Sequence, residues 1–328
     1  MSSSINIAVQ NGYKSSLFLN FRNFTFSNLI EDWDSTKSEE YKISNSKKLW
    51  LNPSLITNSI IEITNKNKLI QSNEVKKIFT YFEKLLCKHF LLKVDSFSIK
   101  ELDCFFEVLN NYNIHTITLI LDYNPIYYSD EFGELVFKYN FIKSVILFNS
   151  PFDKNFENRM HFVNQQFKIR SDKKKIEFKI NHELISESFT YNTYFNRKLY
   201  IGPNGEIKNA PECEETFGFI QELNSVDDLK EIVSTMEFQK YWFVQKDLCD
   251  VCKHCEFRHM CVDNRIPFQR TENEWYHKTE CNYNPFIAKW EGEPGYKTLE
   301  ECGVISNDKI FSIDHEKIQQ INHELWGE

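Results

Sequence analysis

Glycine and proline are scarce in this chain, with nine of the first and eight of the second in 328 residues. Neither a P-loop nor a dinucleotide-binding glycine fingerprint occurs, so nothing marks a phosphate-cradling loop. Long apolar runs are missing too. No window approaches the ~18 consecutive apolar residues that span a bilayer. The opening MSSSINIAVQNGYKSS lacks the basic flank and apolar centre of a secretory signal. Positive charge is in deficit: 39 Lys and Arg stand against 47 Asp and Glu, a net −8. No global basic field draws such a chain to nucleic acid or membrane. The sequence predicts a soluble, cytoplasmic protein with neither as a partner. Its Lys173–Lys175 run is expected to be a solvated turn before a strand.

Core-forming residues are plentiful. Hydrophobic residues make up 41% and aromatics 15%, and phenylalanine alone occurs 29 times. The length suits one large domain with an appendage, or two ordinary domains. In the middle of the chain a short β-rich run alternates with an amphipathic helix. The expected strands are Asn58–Ile63, His89–Val94, Thr116–Leu121, Ser144–Phe148 and Lys175–Ile180. Their spacing of ~30 residues matches one βαβ unit. Val75, Ile78, Phe79, Phe82, Leu85 and Leu86 share one helical face. Leu102, Phe105, Phe106 and Leu109 share another, and Asp130–Tyr139 reads as a third, shorter helix.

Alternation of this kind demands parallel strands with right-handed crossovers. Five units are too few for a closed eight-stranded barrel. The expected fold class is therefore α/β, a partial (β/α) barrel-like body over residues 49–197 followed by a small cysteine-rich domain over 198–328. Residues 1–48 are polar and less periodic and carry no firm assignment. The boundary is expected near Arg197, where a hairpin (Lys198–Cys213) begins as a strand, a Pro-Asn-Gly turn and a second strand leading to a cysteine. A single helix over Ser225–Val244 should follow, with Asp227 and Asp228 in its first turn.

Four of the nine cysteines fall between Leu248 and Cys261, in LCDVCKHCEFRHMC. In a reducing compartment, a cluster this tight points to metal rather than disulfides. Cys252, Cys255 and Cys261 supply three thiolates from one loop, and Cys281 is the natural fourth. Cys249 extends the run to Cys-x2-Cys-x2-Cys, an iron–sulfur habit more than a zinc-ribbon one. Cys249 and Cys213 are possible additional ligands. A zinc site would take four thiolates, or three with His254 or His259; those histidines are expected beside the site rather than in it. Cys87, Cys104 and Cys302 read as ordinary thiols.

The hairpin YIGPNGEIKNAPEC, the Cys-x2-Cys-x5-Cys run and the late cysteine together resemble the SPASM domain, the iron–sulfur module appended to radical-SAM peptide maturases. The stretch CEFRHMCVDNRIPFQRTENEWYHKTECNYNPFIAKW (Cys255–Trp290) is similar to the SPASM-domain peptide maturases of grasp-with-spasm systems. The likeness covers about Leu199 to Tyr296, and LNPSLITNSIIEI (Leu51–Ile63) is similar to the family's first barrel strand. It implies one auxiliary-type [4Fe–4S] cluster on Cys252, Cys255, Cys261 and Cys281. It implies as partners a precursor peptide, ribosomally made and later modified, and an ATP-grasp ligase. Arg265 stands at or next to the place of a second cluster's ligand, so a second cluster is not expected.

The chain departs from that family at its reactive centre. After the first strand it reads TNKNKLIQSNEVKK (Thr64–Lys77), with no cysteine to hold a radical-SAM cluster. S-adenosylmethionine chemistry is therefore not expected, and no catalytic residue is assigned. Three readings stand: a non-radical maturation factor, a divergent peptide-modifying enzyme, and a zinc-binding adaptor. Trp275, Tyr276, Tyr283, Phe286 and Trp290 lie among Arg265, Arg270, Lys278 and Lys289. They are expected either to form a partner surface or to wrap the cysteines and exclude water.

Overall fold

The computed structural model describes residues 55–64, 72–95, 97–167, 177–178 and 182–327. Residues 1–48, the Lys173–Lys175 run and positions 65–71 of the cysteine-free stretch lie outside these. The chain forms two compact units. The described residues of the first are 55–64, 72–95, 97–167 and 195–242; those of the second are 177–178, 182–194 and 243–327.

The first unit begins with β1 (Asn58–Ile63), α1 (Ser72–Lys84), β2 (His89–Val94), α2 (Ile99–Leu109), β3 (Thr116–Asp122), α3 (Asp130–Lys138) and β4 (Ile142–Phe148). A hairpin of β5 (Lys154–Phe156) and β6 (Met160–Phe162) follows. The next elements, β7 (Glu177–Phe178) and α4 (His182–Ser188), belong to the second unit. The chain then returns with β8 (Lys198–Ile201), β9 (Ile207–Lys208) and α5 (Val226–Ser234). One open, mixed eight-stranded sheet results, in the order β5-β6-β4-β3-β2-β1-β8-β9.

Strands β1 to β4 are parallel neighbours in chain order. With right-handed crossovers, winding in one direction keeps the helices on one face. Accordingly α1 packs beside α2, and α2 beside α3. Phe79 and Phe82 of α1 each place their rings 5.2 Å from Phe90 of β2. Helix α2 starts at a capping box, where Ser98 and Glu101 satisfy each other's backbone N–H. Its expected face of Leu102, Phe105, Phe106 and Leu109 is buried. Each such side chain contributes roughly 1.5–3 kcal/mol relative to exposure. On β1 the buried Glu62 accepts hydrogen bonds from Tyr200 Oη of β8 and Lys93 Nζ of β2, the latter at 3.1 Å.

The structure differs from expectation at four places. The boundary near Arg197 falls inside the first unit, because β8 pairs in parallel with β1 from Asn58↔Lys198 onward. Residues 198–242 therefore join the α/β unit. The strand expected at Lys175–Ile180 is not a fifth parallel neighbour. Its described part, β7, pairs antiparallel with Cys261–Val262, and β6 lies beside β4 instead. The helix expected through Val244 stops at Ser234. Thr235 Oγ1 donates to Ile232 O at 2.8 Å and accepts from Phe238 N at 3.2 Å, so side-chain bonds displace the helical ladder. Leu86 is exposed rather than part of the α1 face, with φ 60°.

The second unit is small and strand-rich. After β7 and α4 come β10 (Cys261–Val262), the hairpins β11 (Phe268–Thr271)/β12 (Glu274–Tyr276), β13 (Tyr283–Asn284)/β14 (Lys289–Trp290) and β15 (Val304–Ser306)/β16 (Phe311–Ile313), and α6 (His315–Trp326). Ile287, Leu299, Cys302, Val304 and Ile321 form a core in its C-terminal half. Among the described residues, no helix is long and apolar enough to cross a membrane.

Leu86 terminates α1 in the left-handed conformation that glycine adopts at least cost. Its N–H reaches Glu83 O and that of Cys87 reaches Phe82 O, both at 3.0 Å. Left-handed backbone costs an L-residue roughly 1–2 kcal/mol. Leu86→Gly is accordingly expected to raise stability by about 0.5–1 kcal/mol in urea unfolding; a loss of stability would show that Leu86 packing outweighs the backbone term.

Candidate metal centre

Local geometry begins with the turn that carries Cys252 and Cys255. Residues Cys252–His254 form one 3-10 turn, closed by Cys255 N donating to Cys252 O at 3.0 Å. The preceding residues are pinned from two sides. Cys249 bridges to Trp275, and Asp250 N donates to Trp275 O at 2.9 Å. The Asp250 carboxylate takes a two-pronged contact from Arg270, at 2.6 and 3.0 Å, and a third hydrogen bond from Ser306 Oγ at 2.9 Å. Cys261 is fixed by β10 pairing with β7 and by Thr193 Oγ1 donating to its carbonyl at 2.7 Å. Cys281 Sγ accepts the backbone N–H of Tyr283 at 3.3 Å.

These elements bring Cys252, Cys255, Cys261 and Cys281 to the wall of one cavity of about 30 Å³. That is more room than one water needs. Three cations, Lys246, Arg258 and Arg265, line the same cavity, and among the described residues no carboxylate does. Behind the cations stand their partners. Asp263, fully buried, receives Lys246 Nζ and Arg265 Nη2, each at 2.8 Å. Arg258 Nε donates to Asp247 at 2.7 Å. Arg265 continues forward, with Nη1 on Thr279 O at 2.8 Å and Nη2 on Cys252 Sγ at 3.7 Å.

Burial pushes the neutral thiols away from ionisation. Cys255 is raised well above the ordinary thiol value by burial first and by Glu256 second. Burial likewise carries Cys281 up to about 11, with Arg265 pulling the other way. Burial opposes the charges on Lys246 and Arg265, but Asp263 and the neighbouring sulfurs outweigh it, so both stay cationic. A metal that binds here must expel the thiol protons, and its uptake strengthens as pH rises.

Spacing constrains what the sulfurs can hold. A tetrahedral zinc with bonds of 2.3 Å draws its sulfurs to about 3.8 Å from one another. No three of the four cavity sulfurs lie within 4.8 Å of one another. Among the described residues, the donor atoms that do so belong to Cys252, Asp263 and His277. This mixed trio is a possible metal-binding group, although the Asp263 carboxylate already accepts from both Lys246 and Arg265. The donor set as a whole suits a centre that stays anionic after binding four thiolates.

The remaining sequence candidates lie elsewhere. Cys249 is buried with its Sγ on Gln245 O at 3.7 Å, and burial raises its thiol to about 12. Cys213 is buried in the first unit, raised by burial to about 11. Neither lines the cavity. His254 is exposed near the Phe286 and Phe311 rings, and His259 stacks at 4.1 Å on Phe189 while its Nδ1 meets Ser188 Oγ at 3.0 Å. Cys87 and Cys302 are buried and Cys104 is exposed. Trp275, Tyr276, Tyr283 and Arg265 are buried, and Arg270 is half-buried on its Asp250 partner. Of this group Tyr283 lines the cysteine cavity, Phe286, Trp290 and Lys289 are half-buried, and Lys278 is exposed.

Sequence reasoning passed over Lys246 and Asp263. The only local signal was charge adjoining the run, in QKDLC and CVDNR. Comparison of the chain with protein-family models, with curated proteins and with solved structures returns no match.

The thiol shifts give a chemical test. At pH 8 the metal-free chain should be alkylated by iodoacetamide first at the exposed Cys104. Cys281 should lag, its labelling climbing as pH approaches about 11. Peptide mass spectrometry reads the order, and fast labelling of Cys281 at pH 8 would contradict a half-buried, protonated thiol.

Proposed function

We propose that this protein is a maturation factor for a ribosomally made, post-translationally modified peptide, built around one [4Fe–4S] cluster in a SPASM-like domain. Its first unit serves as a barrel-like body without radical-SAM chemistry. It binds the precursor peptide and presents it to an ATP-grasp ligase. The peptide and ligase follow from the resemblance of Cys255–Trp290 to grasp-with-spasm maturases. One observation supports the cluster: the four cysteines picked out by spacing line a single cation-walled cavity.

Cys252, Cys255, Cys261 and Cys281 would hold the cluster. When bound, it supplies a one-electron redox centre or a rigid crosslink. With all four irons held by cysteine, it offers no open position to a substrate. The chain's own groups orient and shield it. The Tyr283 N–H donates to the Cys281 sulfur, Arg265 donates to that of Cys252, and Phe257 and Tyr283 line the cavity wall. The Cys252, Asp263 and His277 trio favours a second reading, a zinc-binding adaptor with no redox role.

Anaerobic purification of the full chain tests the cluster. We expect a brown protein with about four iron and four sulfide per chain; one zinc without sulfide would establish the adaptor reading instead. Each of Cys252→Ser, Cys255→Ser, Cys261→Ser and Cys281→Ser should lose most of the iron. Cys87→Ser, Cys104→Ser and Cys302→Ser should keep it, as should Cys249→Ser and Cys213→Ser, which lie off the cavity. Calorimetry with the precursor peptide, and co-purification with the ligase, test the role. Absence of both by the cluster-loaded protein would remove it, and release of deoxyadenosine from S-adenosylmethionine would make the protein an enzyme.

A further inference from the structure

Lys246, Asp263 and Arg265 form a buried charged group directly behind the cavity sulfurs. Their side chains are 5%, 0% and 8% exposed. One carboxylate holds two cations, leaving a net positive charge. Both cations line the cavity, and the carboxylate does not. Arg265 is held by both carboxylate oxygens of Asp263, by Thr279 O and by Cys252 Sγ. Its guanidinium therefore cannot swing to solvent without giving up a buried ion pair. Breaking such a pair costs roughly 3–5 kcal/mol.

A fixed charge of this kind acts on any centre whose own charge changes. We infer that Arg265, with Lys246 and held in place by Asp263, sets the reduction potential of the cluster bound by the four cysteines, shifting it upward. The inference rests on the cluster reading above. The step it affects is a one-electron reduction. When bound, a [4Fe–4S]2+ core would accept one electron from a single-electron donor, one ferric equivalent becoming ferrous, with no bond broken and no proton moved. The four-thiolate centre thereby goes from a net charge of about −2 to about −3. Nearby positive charge stabilises the more negative state, and the N–H···S contact to Cys252 acts in the same direction. Low local dielectric makes the effect larger than it would be at the surface.

Arg265 is thus a positioning and tuning residue, and its sign distinguishes it from a merely structural one. Removing the cation should lower the potential, and removing the carboxylate should raise it. The experiment is a spectroelectrochemical titration of the anaerobic full-length protein with dithionite as the electron source, with iron and sulfide measured on every sample. Arg265→Gln is expected to weaken reduction about tenfold, a fall of ~59 mV for a one-electron couple. Asp263→Asn is expected to move the potential upward. Arg265→Lys keeps the charge and should stay closer to wild type than Arg265→Gln does. Lys246→Gln gives an independent reading of the same sign should Arg265→Gln lose its cluster. Full cluster content with an unchanged potential in Arg265→Gln, or shifts of the same sign in Arg265→Gln and Asp263→Asn, would overturn the inference alone. A wild-type protein that holds no iron would overturn the cluster reading and this inference with it.

Discussion

Four thiolates gathered at one site would carry more negative charge than a single divalent ion or a [4Fe–4S]2+ core can neutralise. Either leaves about two negative charges behind. Burying uncompensated charge costs several kcal/mol per ion, so the protein must bring cations to the same place. Lys246, Arg258 and Arg265 meet that requirement on the cavity wall. Their carboxylate partners, Asp263 and Asp247, stand behind them, where they fix the cations without facing the sulfurs. Much of the second unit follows from that arrangement. The Cys252–Cys255 turn is braced by Trp275 and by the Asp250–Arg270 pair, and the C-terminal core packs against Val251 beside it.

The first unit obeys a different constraint. Parallel strands joined by helices bury an apolar face, which here places Phe90 of β2 against Phe79 and Phe82 of α1. Its polar residues Glu62, Lys93 and Tyr200 satisfy one another across three neighbouring strands. The peptide-maturation proposal draws on the resemblance of the cysteine-rich stretch, and its metal chemistry draws on the second unit alone.

Much of this was legible in the sequence, and the reasons are physical. Strands β1 and β2 fall where the β-rich runs lay, because burial against one helical layer imposes its own periodicity. The Cys252–Cys255 pair was legible because a two-residue gap closes a turn locally. Partnership was not legible. Alternation at Lys175–Ile180 says that a strand forms, but not that its described part pairs antiparallel with β10. Apolar spacing continues through Phe238, Trp242 and Val244, which are buried from turns after Thr235 has ended the helix. Lys246 and Asp263 look like ordinary surface residues in sequence. Their meeting over 17 positions is a tertiary event that no local pattern announces.

The central claim is that the four cysteines share one polynuclear iron centre. Anaerobic crystals measured on either side of the iron absorption edge test it most directly. The account predicts one strong iron anomalous peak centred among Cys252, Cys255, Cys261 and Cys281. A zinc-edge peak among Cys252, Asp263 and His277, or an iron peak away from the four sulfurs, would contradict it.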